Sequence, residues 1–389
     1  MPRHVLFLMT MLSLAAGPYS RSAVGDDDQP QARSLPAETI TAIDGLIADA
    51  IAAGDLPGAV VLIGTSQGPL LRKAYGDRQV LPEREPMTVD TVFDLASLTK
   101  PLATATSVLI LADEGRIDIE APVAKYLPEF GTDGKERITV TDLLVHRGGL
   151  IADNHLRDYG DGPDKAWERI CDLKPTAEPG EKFIYSDVGF LVLGRLVERV
   201  SGESLDQFTR DRIWRPLGMS RTGYLPDTAT VPLIAPTEQQ GTEWIRGRVH
   251  DPRASALGGV AGHAGLFANV DDLSRYARMV LAGGALDDHR VLSQAMVQRM
   301  TAATEVPRGT RGLGWDKQSP YSSNKGEALS DAAIGHGGFT GTVLWIDPAQ
   351  DLYFVFLSSR LHPDGKGSVN GLAGKIITQA AESMRTPQQ

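Results

Sequence analysis

The feature that most constrains this chain is where its strand-like segments lie. Gly58 to Ile63 is a short apolar run rich in valine, and Leu70 to Tyr75 can return beside it across the polar Thr65–Gly68 turn. Comparable strand character returns only near the other end, at Gly341 to Ile346 and Tyr353 to Ser358, joined by Asp347-Pro348. Between them, from about Ser97 to Leu281, apolar residues recur mainly at helical spacing. The clearest stretches are Thr104–Glu114, Thr141–Val145, Val188–Val200, Leu205–Ile213 and Asp271–Leu281. Amphipathic helices are also expected at Ala37–Ala53 and Gly371–Met384. A sheet whose strands come from both ends of a chain must be closed around whatever separates them. The pattern predicts an α/β (α+β) fold, an antiparallel sheet flanked by the N- and C-terminal helices. Its discontinuous α/β domain takes residues 37–95 and 311–389, and residues 96–310 form a mostly helical inserted domain.

A chain of 389 residues can bury a large core without disulfides, and its single cysteine cannot form one internally. Cys171 sits in the apolar stripe from Trp167 to Leu173 and reads as a buried bystander. With 39 basic and 49 acidic residues the net charge is -10, which argues against nucleic acid as a partner. The N-terminus has the three-part layout of a secretory signal: basic Pro2-Arg3-His4, apolar Val5–Ala16, and small Ala23-Val24-Gly25. Residues 1–25 are therefore expected to be a signal peptide and 26–36 a flexible leader, with the mature protein exported to the periplasm or secreted. No later run has the length and apolarity of a membrane span.

Two kinds of serine motif compete. Gly64-Thr65-Ser66-Gln67-Gly68 matches the G-x-S-x-G elbow of α/β-hydrolases, which needs a helix after the serine. The following Pro69-Leu70-Leu71-Arg72 has no helical stripe, so a hairpin turn accounts for the same letters; an esterase using Ser66 is the rival reading. The S-x-x-K pattern occurs twice. Ser322-Ser323-Asn324-Lys325 lies in a polar stretch that reads as loop. Ser97-Leu98-Thr99-Lys100 follows apolar Val92–Leu95 and opens a helix, with Pro101 in the first turn, where a missing N–H costs nothing. Residues three apart on a helix are neighbours, so the Lys100 amine can reach the Ser97 hydroxyl, and a lysine of lowered pKa can take its proton. Tyr185 precedes a strongly helical segment and could relay a proton, while Asp187 could cap that helix. Gly335-His336-Gly337-Gly338-Phe339-Thr340-Gly341 opens the last strand pair, where glycines let a substrate backbone approach an edge.

Taken in order, Ser97-Leu98-Thr99-Lys100, Tyr185-Ser186-Asp187 and His336-Gly337-Gly338 resemble the S-x-x-K, Y-x-N and K-T-G or H-x-G motifs of the serine β-lactamase and penicillin-binding-protein superfamily. The likeness is to its class C β-lactamase-like group, which includes D,D-peptidases and esterases, and it covers nearly the whole chain after the leader. The resemblance implies a serine hydrolase working through an acyl-serine. Ser97 would be the nucleophile, and Lys100 and Tyr185 would share proton transfer, with either as the base. Backbone N–H groups of Ser97 and Phe339 would hold the oxyanion. Asp187, His336, Gly337, Gly338 and Thr340 would contact substrate. No metal or organic cofactor is implied. Asp187 stands where the family has asparagine, and His336 where it often has lysine. Losing an amide donor and a permanent cation argues against a dedicated β-lactamase. A cell-wall D-amino-acid peptide or a small ester or amide fits better. A true class C-type β-lactamase and a non-catalytic penicillin-binding module are the alternatives. A metallohydrolase finds no H-E-x-x-H or similar spacing, and His146 and His263 read as structural. The oligomeric state is not legible.

Overall fold

The computed structural model describes Met1 and residues 34–385. The expected signal peptide, and the leader up to residue 33, lie outside the described residues. The expected leader does not extend to residue 36: Leu35 is 2% exposed and packs with Ile43 and Ile47 of the first helix, α1 (Ala37–Ala52). No helix among the described residues is long and apolar enough to cross a membrane.

Among the described residues the main sheet has nine antiparallel strands. In chain order they are β1 (Gly58–Thr65), β2 (Gly68–Gln79), β3 (Glu85–Pro86), β4 (Thr304–Val306), β5 (Gly309–Arg311), β6 (Asp316–Gln318), β7 (Ile334–Gly338), β8 (Thr342–Asp347) and β9 (Leu352–Ser358). In space they run β4-β5-β6-β7-β8-β9-β1-β2-β3. Thus β1 lies between its hairpin partner β2 and the last strand, with Ala59 opposite Ser358 and Ile63 opposite Phe354. The sheet already includes residues 304–306, a little before the expected boundary at 311.

Alternation along the strands explains the layering. Every residue of β1 is buried, as expected for a strand covered on both faces. Ala59, Val61 and Ile63 join Val343, Trp345, Phe354 and Phe356 in one core, against α1 and the C-terminal helix (Asn370–Met384). Val60 and Leu62 point the other way, into the larger core shared with the helical segments. Successive strand side chains face opposite sides, so one apolar run fills two cores.

The middle of the chain contains α2 (Thr106–Asp113), α3 (Asp187–Ser201) and α4 (Val270–Leu281), close to their expected ranges. The segment leading into α2 differs from a regular helix. A 3-10 turn at Ala96–Leu98 passes into π-helical Lys100–Ala105 before α2 begins. Such wide turns inside helices recur at functional sites.

Candidate active site

Ser97 is set in place by strain and by a clamp. Ala96, just before it, has φ +45°, a left-handed conformation unfavourable for a residue with a Cβ, and its N–H donates to Asp94 Oδ1 at 2.8 Å. Across from it, Thr340 Oγ1 donates to the Asp94 carbonyl at 2.6 Å and Thr342 Oγ1 to the Leu95 carbonyl at 3.1 Å. Gly338 completes the clamp: a Cβ there would lie 2.4 Å from the Leu95 oxygen, so only glycine allows so close an approach. The end of β7 is thereby fixed against the residues that present Ser97.

Lys100 is wholly buried beneath Ser97. Its Nζ donates to Ser97 Oγ at 3.0 Å and to the His263 carbonyl at 3.2 Å. Asp187 Oδ1 lies 2.7 Å from the same nitrogen, as an ion pair off the hydrogen-bond angle. Burial alone would lower the lysine pKa; the Asp187 charge overrides it, and the net shift is upward. Burial likewise works against the Asp187 carboxylate, and Lys100 outweighs it, so that group is held below its usual range. The structure therefore corrects the expectation of a lysine with a lowered pKa: Lys100 is an ammonium, and it gives a hydrogen bond to the serine oxygen.

Tyr185 brings its ring to 4.9 Å from Lys100 Nζ, and with Ser97 it lines a cavity of about 390 Å³. His146 positions this tyrosine. Its ring lies 4.4 Å from that of Tyr185, its Nδ1 accepts from Ser186 N–H at 3.0 Å, and its carbonyl accepts from Ile184 N–H. Burial, reinforced by Arg311 and Lys100, keeps the His146 ring pKa well below 6.5.

One of the expected substrate contacts is corrected. Thr340 is 1% exposed, and its hydroxyl is committed to Asp94, so it clamps the backbone and does not face substrate. The Asp187 carboxylate, 19% exposed, is engaged as the counter-ion of Lys100. Asp187 does not cap α3: Ser186 does, accepting from Gly189 N–H at 3.0 Å. His336, Gly337, Gly338 and Phe339 do line the cavity. Burial, with help from Arg311 and Lys100, lowers the His336 pKa to about 3, so its ring is neutral at neutral pH.

Ser66 is excluded as an elbow nucleophile. It sits in the hairpin between β1 and β2, followed by strand, with its Oγ tied to Asp351 Oδ2 at 3.0 Å. Among the described residues, ligand-type atoms of Asp187, Asp251 and His263 come within 4.8 Å of one another. The nearby positive charge is the Lys100 ammonium, and His263 Nε2 pairs with Asp251 Oδ1 at 2.9 Å. Burial pushes the Cys171 thiol up to about 11, consistent with a bystander.

Residues not anticipated from sequence also line the cavity: Arg311, Asp316, Tyr321, Asn324 and Arg360. Asn324 belongs to the second S-x-x-K match, which was the available signal for that wall. Arg311 and Arg360 carried none, because only tertiary folding brings them to the cleft.

A serine bonded to a buried lysine beside a tyrosine, where a nine-stranded sheet meets a helical layer, defines a serine hydrolase site of β-lactamase type. The chain belongs to the beta-lactamase family, whose model matches residues 43–377. It is 31% identical over 404 residues, covering 93% of this chain and 92% of the relative, to an Escherichia coli K12 protein named "Putative D-alanyl-D-alanine carboxypeptidase". It is also 31% identical over 392 residues, covering 88% of each, to an N-acetylmuramyl-L-alanine amidase of Bacillus subtilis 168. Among solved structures, a penicillin-binding protein homologue from Caulobacter crescentus aligns with a TM-score of 0.72 and 20% identity, over 90% of this chain and 99% of that one. A family VIII carboxylesterase aligns at 0.71 and 22%, over 91% and 99%. These last two likenesses establish the fold.

Proposed function

We propose that this protein is an exported serine hydrolase that cleaves amide bonds of cell-wall peptides through an acyl-Ser97 intermediate. The observation that carries the reading is the 3.0 Å hydrogen bond from the buried Lys100 ammonium to Ser97 Oγ. Because that bond makes the serine oxygen an acceptor, the hydroxyl proton is left for another base. Tyr185, whose ring lies 4.9 Å from Lys100 Nζ and which lines the same cavity as Ser97, takes it. Ser97 Oγ then bonds to the substrate carbonyl carbon. The oxyanion is held by the Ser97 and Phe339 N–H groups, and Tyr185 returns the proton to the departing amine. Water repeats the sequence on the acyl-serine. Two observations support a cell-wall amide as substrate: the names of the two 31% identical relatives, and the export-type N-terminus.

The test is covalent labelling followed by substrate comparison. A fluorophosphonate probe is expected to label Ser97, and Ser97→Ala to abolish labelling, while Ser66→Ala retains it. Hydrolysis of a D-alanyl-D-alanine peptide, N-acetylmuramyl-L-alanine, a short ester and a cephalosporin is then compared. Labelling that survives Ser97→Ala refutes the nucleophile, and faster turnover of the cephalosporin than of either amide refutes the substrate class.

A further inference from the structure

Ser97 and Lys100 are joined by two routes. The direct one is the 3.0 Å hydrogen bond between their side chains. The other leaves from the N-terminal side of Ser97 and returns to Lys100 through a distant part of the chain. Ala96 N–H donates to Asp94 Oδ1 at 2.8 Å, and His250 N–H donates to Asp94 Oδ2 at 2.7 Å. The next residue, Asp251, pairs through Oδ1 with His263 Nε2 at 2.9 Å. Burial works against the Asp251 carboxylate, and the His263 bond outweighs it, so the group is held well below its usual range. An ionised carboxylate only accepts, so Nε2 is the donor. The His263 carbonyl then accepts from Lys100 Nζ at 3.2 Å. Five hydrogen bonds and the intervening backbone thus close a circuit through the serine and the lysine.

The circuit restrains what would otherwise move. Ala96 has φ +45°, and such strain persists only where the surroundings over-determine it. The bond from its N–H to Asp94 is one of those restraints, and Ser97 is the next residue. Asp94 is buried, and burial pushes its pKa up against the two N–H bonds it accepts. A carboxylate kept there, with one oxygen on each of two segments, acts as a strut between them. It bears on the oxyanion side too: the Asp94 carbonyl accepts from the Thr340 hydroxyl, and the His250 ring stacks on that of Phe339 with centroids 5.9 Å apart.

We infer that Asp94 and the Asp251–His263 pair are positioning residues that set Ser97 Oγ against Lys100 Nζ. This rests on the acyl-serine reading of the same site. Residues that act through one circuit fail together: once one link opens, opening a second costs little more.

The experiment measures p-nitrophenyl ester turnover, the rate of fluorophosphonate labelling of Ser97 and urea midpoints in four variants. Asp94→Asn leaves one oxygen for one N–H group and turns an amide donor toward the other. His263→Phe keeps a ring and removes Nε2. Each is expected to lower kcat by about tenfold or more with KM changed less than about twofold, the signature of misplaced reacting groups. The double variant is expected to lose little more kcat than the worse single, although its urea midpoint falls further. His263→Gln, whose amide N–H can stand where Nε2 stood, is expected to recover most of the loss seen in His263→Phe. An unchanged kcat in Asp94→Asn overturns the inference. So do losses of kcat that multiply in the double variant, and a His263→Gln no better than His263→Phe, since these mark residues that serve only the fold. If Asp94→Asn does not fold, the two His263 variants decide. If the ester is not turned over, the labelling rate is read in place of kcat. Absence of Ser97 labelling in the wild type sinks the hydrolase reading itself, whereas labelling at the same rate in wild type and variants sinks only the circuit.

Discussion

Replacing Asp187 with asparagine tests whether Lys100 works as a cation or as a base. The substitution keeps the shape of the side chain and removes the charge 2.7 Å from Lys100 Nζ. At an effective dielectric of about 20, two unit charges at that distance attract by about 6 kcal/mol. Even half of that changes the ratio of ammonium to free amine by on the order of a hundredfold. Burial, which already pushes the lysine toward neutrality, is then far less opposed. In the wild-type protein the ion pair keeps Lys100 protonated, and kcat/KM for a p-nitrophenyl ester is expected to show no loss between pH 6 and 9. In Asp187→Asn the lysine gives up its proton at a lower pH than in the wild type, the charge beside Tyr185 begins to weaken toward the alkaline end of that range, and kcat/KM is expected to fall there first. The assay is the pH dependence of kcat/KM for both proteins, with Ser97 labelling as the check on an intact site. A variant that becomes faster as pH rises would mean that the free amine is the base, and would refute the reasoning. A profile superimposable on the wild type would show that the ion pair does not govern catalysis.

Two other expectations follow from the clamp and from the buried histidines. Thr340→Val removes the hydroxyl that serves the buried Asp94 carbonyl, which should cost about 1–3 kcal/mol of stability and lower activity, while Thr340→Ser restores both; urea midpoints and ester turnover measure this. His146 and His336 are buried with depressed pKa values, so below pH 6.5 the unfolded chain takes up protons that the folded chain refuses, and stability falls with pH. The two together should remove about 3–4 kcal/mol between pH 7 and 5, and His336→Gln about half of that loss; urea denaturation at both pH values checks it, and an unchanged loss in the variant counts against the depressed His336 pKa.

The architecture was legible where one signal outweighed its competitors. The largely apolar β1 and the β8–β9 pair read as buried strands because both of their faces are covered. The Ser97–Lys100 spacing read as a contact because a helical turn makes neighbours of residues three apart. β4 to β6 were missed: with three residues each, they are too short to show a period of two. The direction of Thr340 depends on which carbonyl lies opposite, some 246 residues earlier in the chain. A carboxylate beside a helix start fits capping as well as pairing, and only the fold places Lys100 against Asp187. Arg311 lay in no motif, and only tertiary folding brings it to the cleft.

The pairing of β1 with β9 also affects when the protein becomes active. The Ser358 hydroxyl reaches the Gly58 carbonyl across 300 residues, and the clamp on Asp94 and Leu95 comes from Thr340 and Thr342. Contacts so distant in sequence form late, because a long loop must close before any of them contributes. A growing chain therefore carries its nucleophile for most of its synthesis without the strand that fixes it. Thr340 follows Asp94 by 246 residues, so the bracing of Ser97 waits on that segment of the chain.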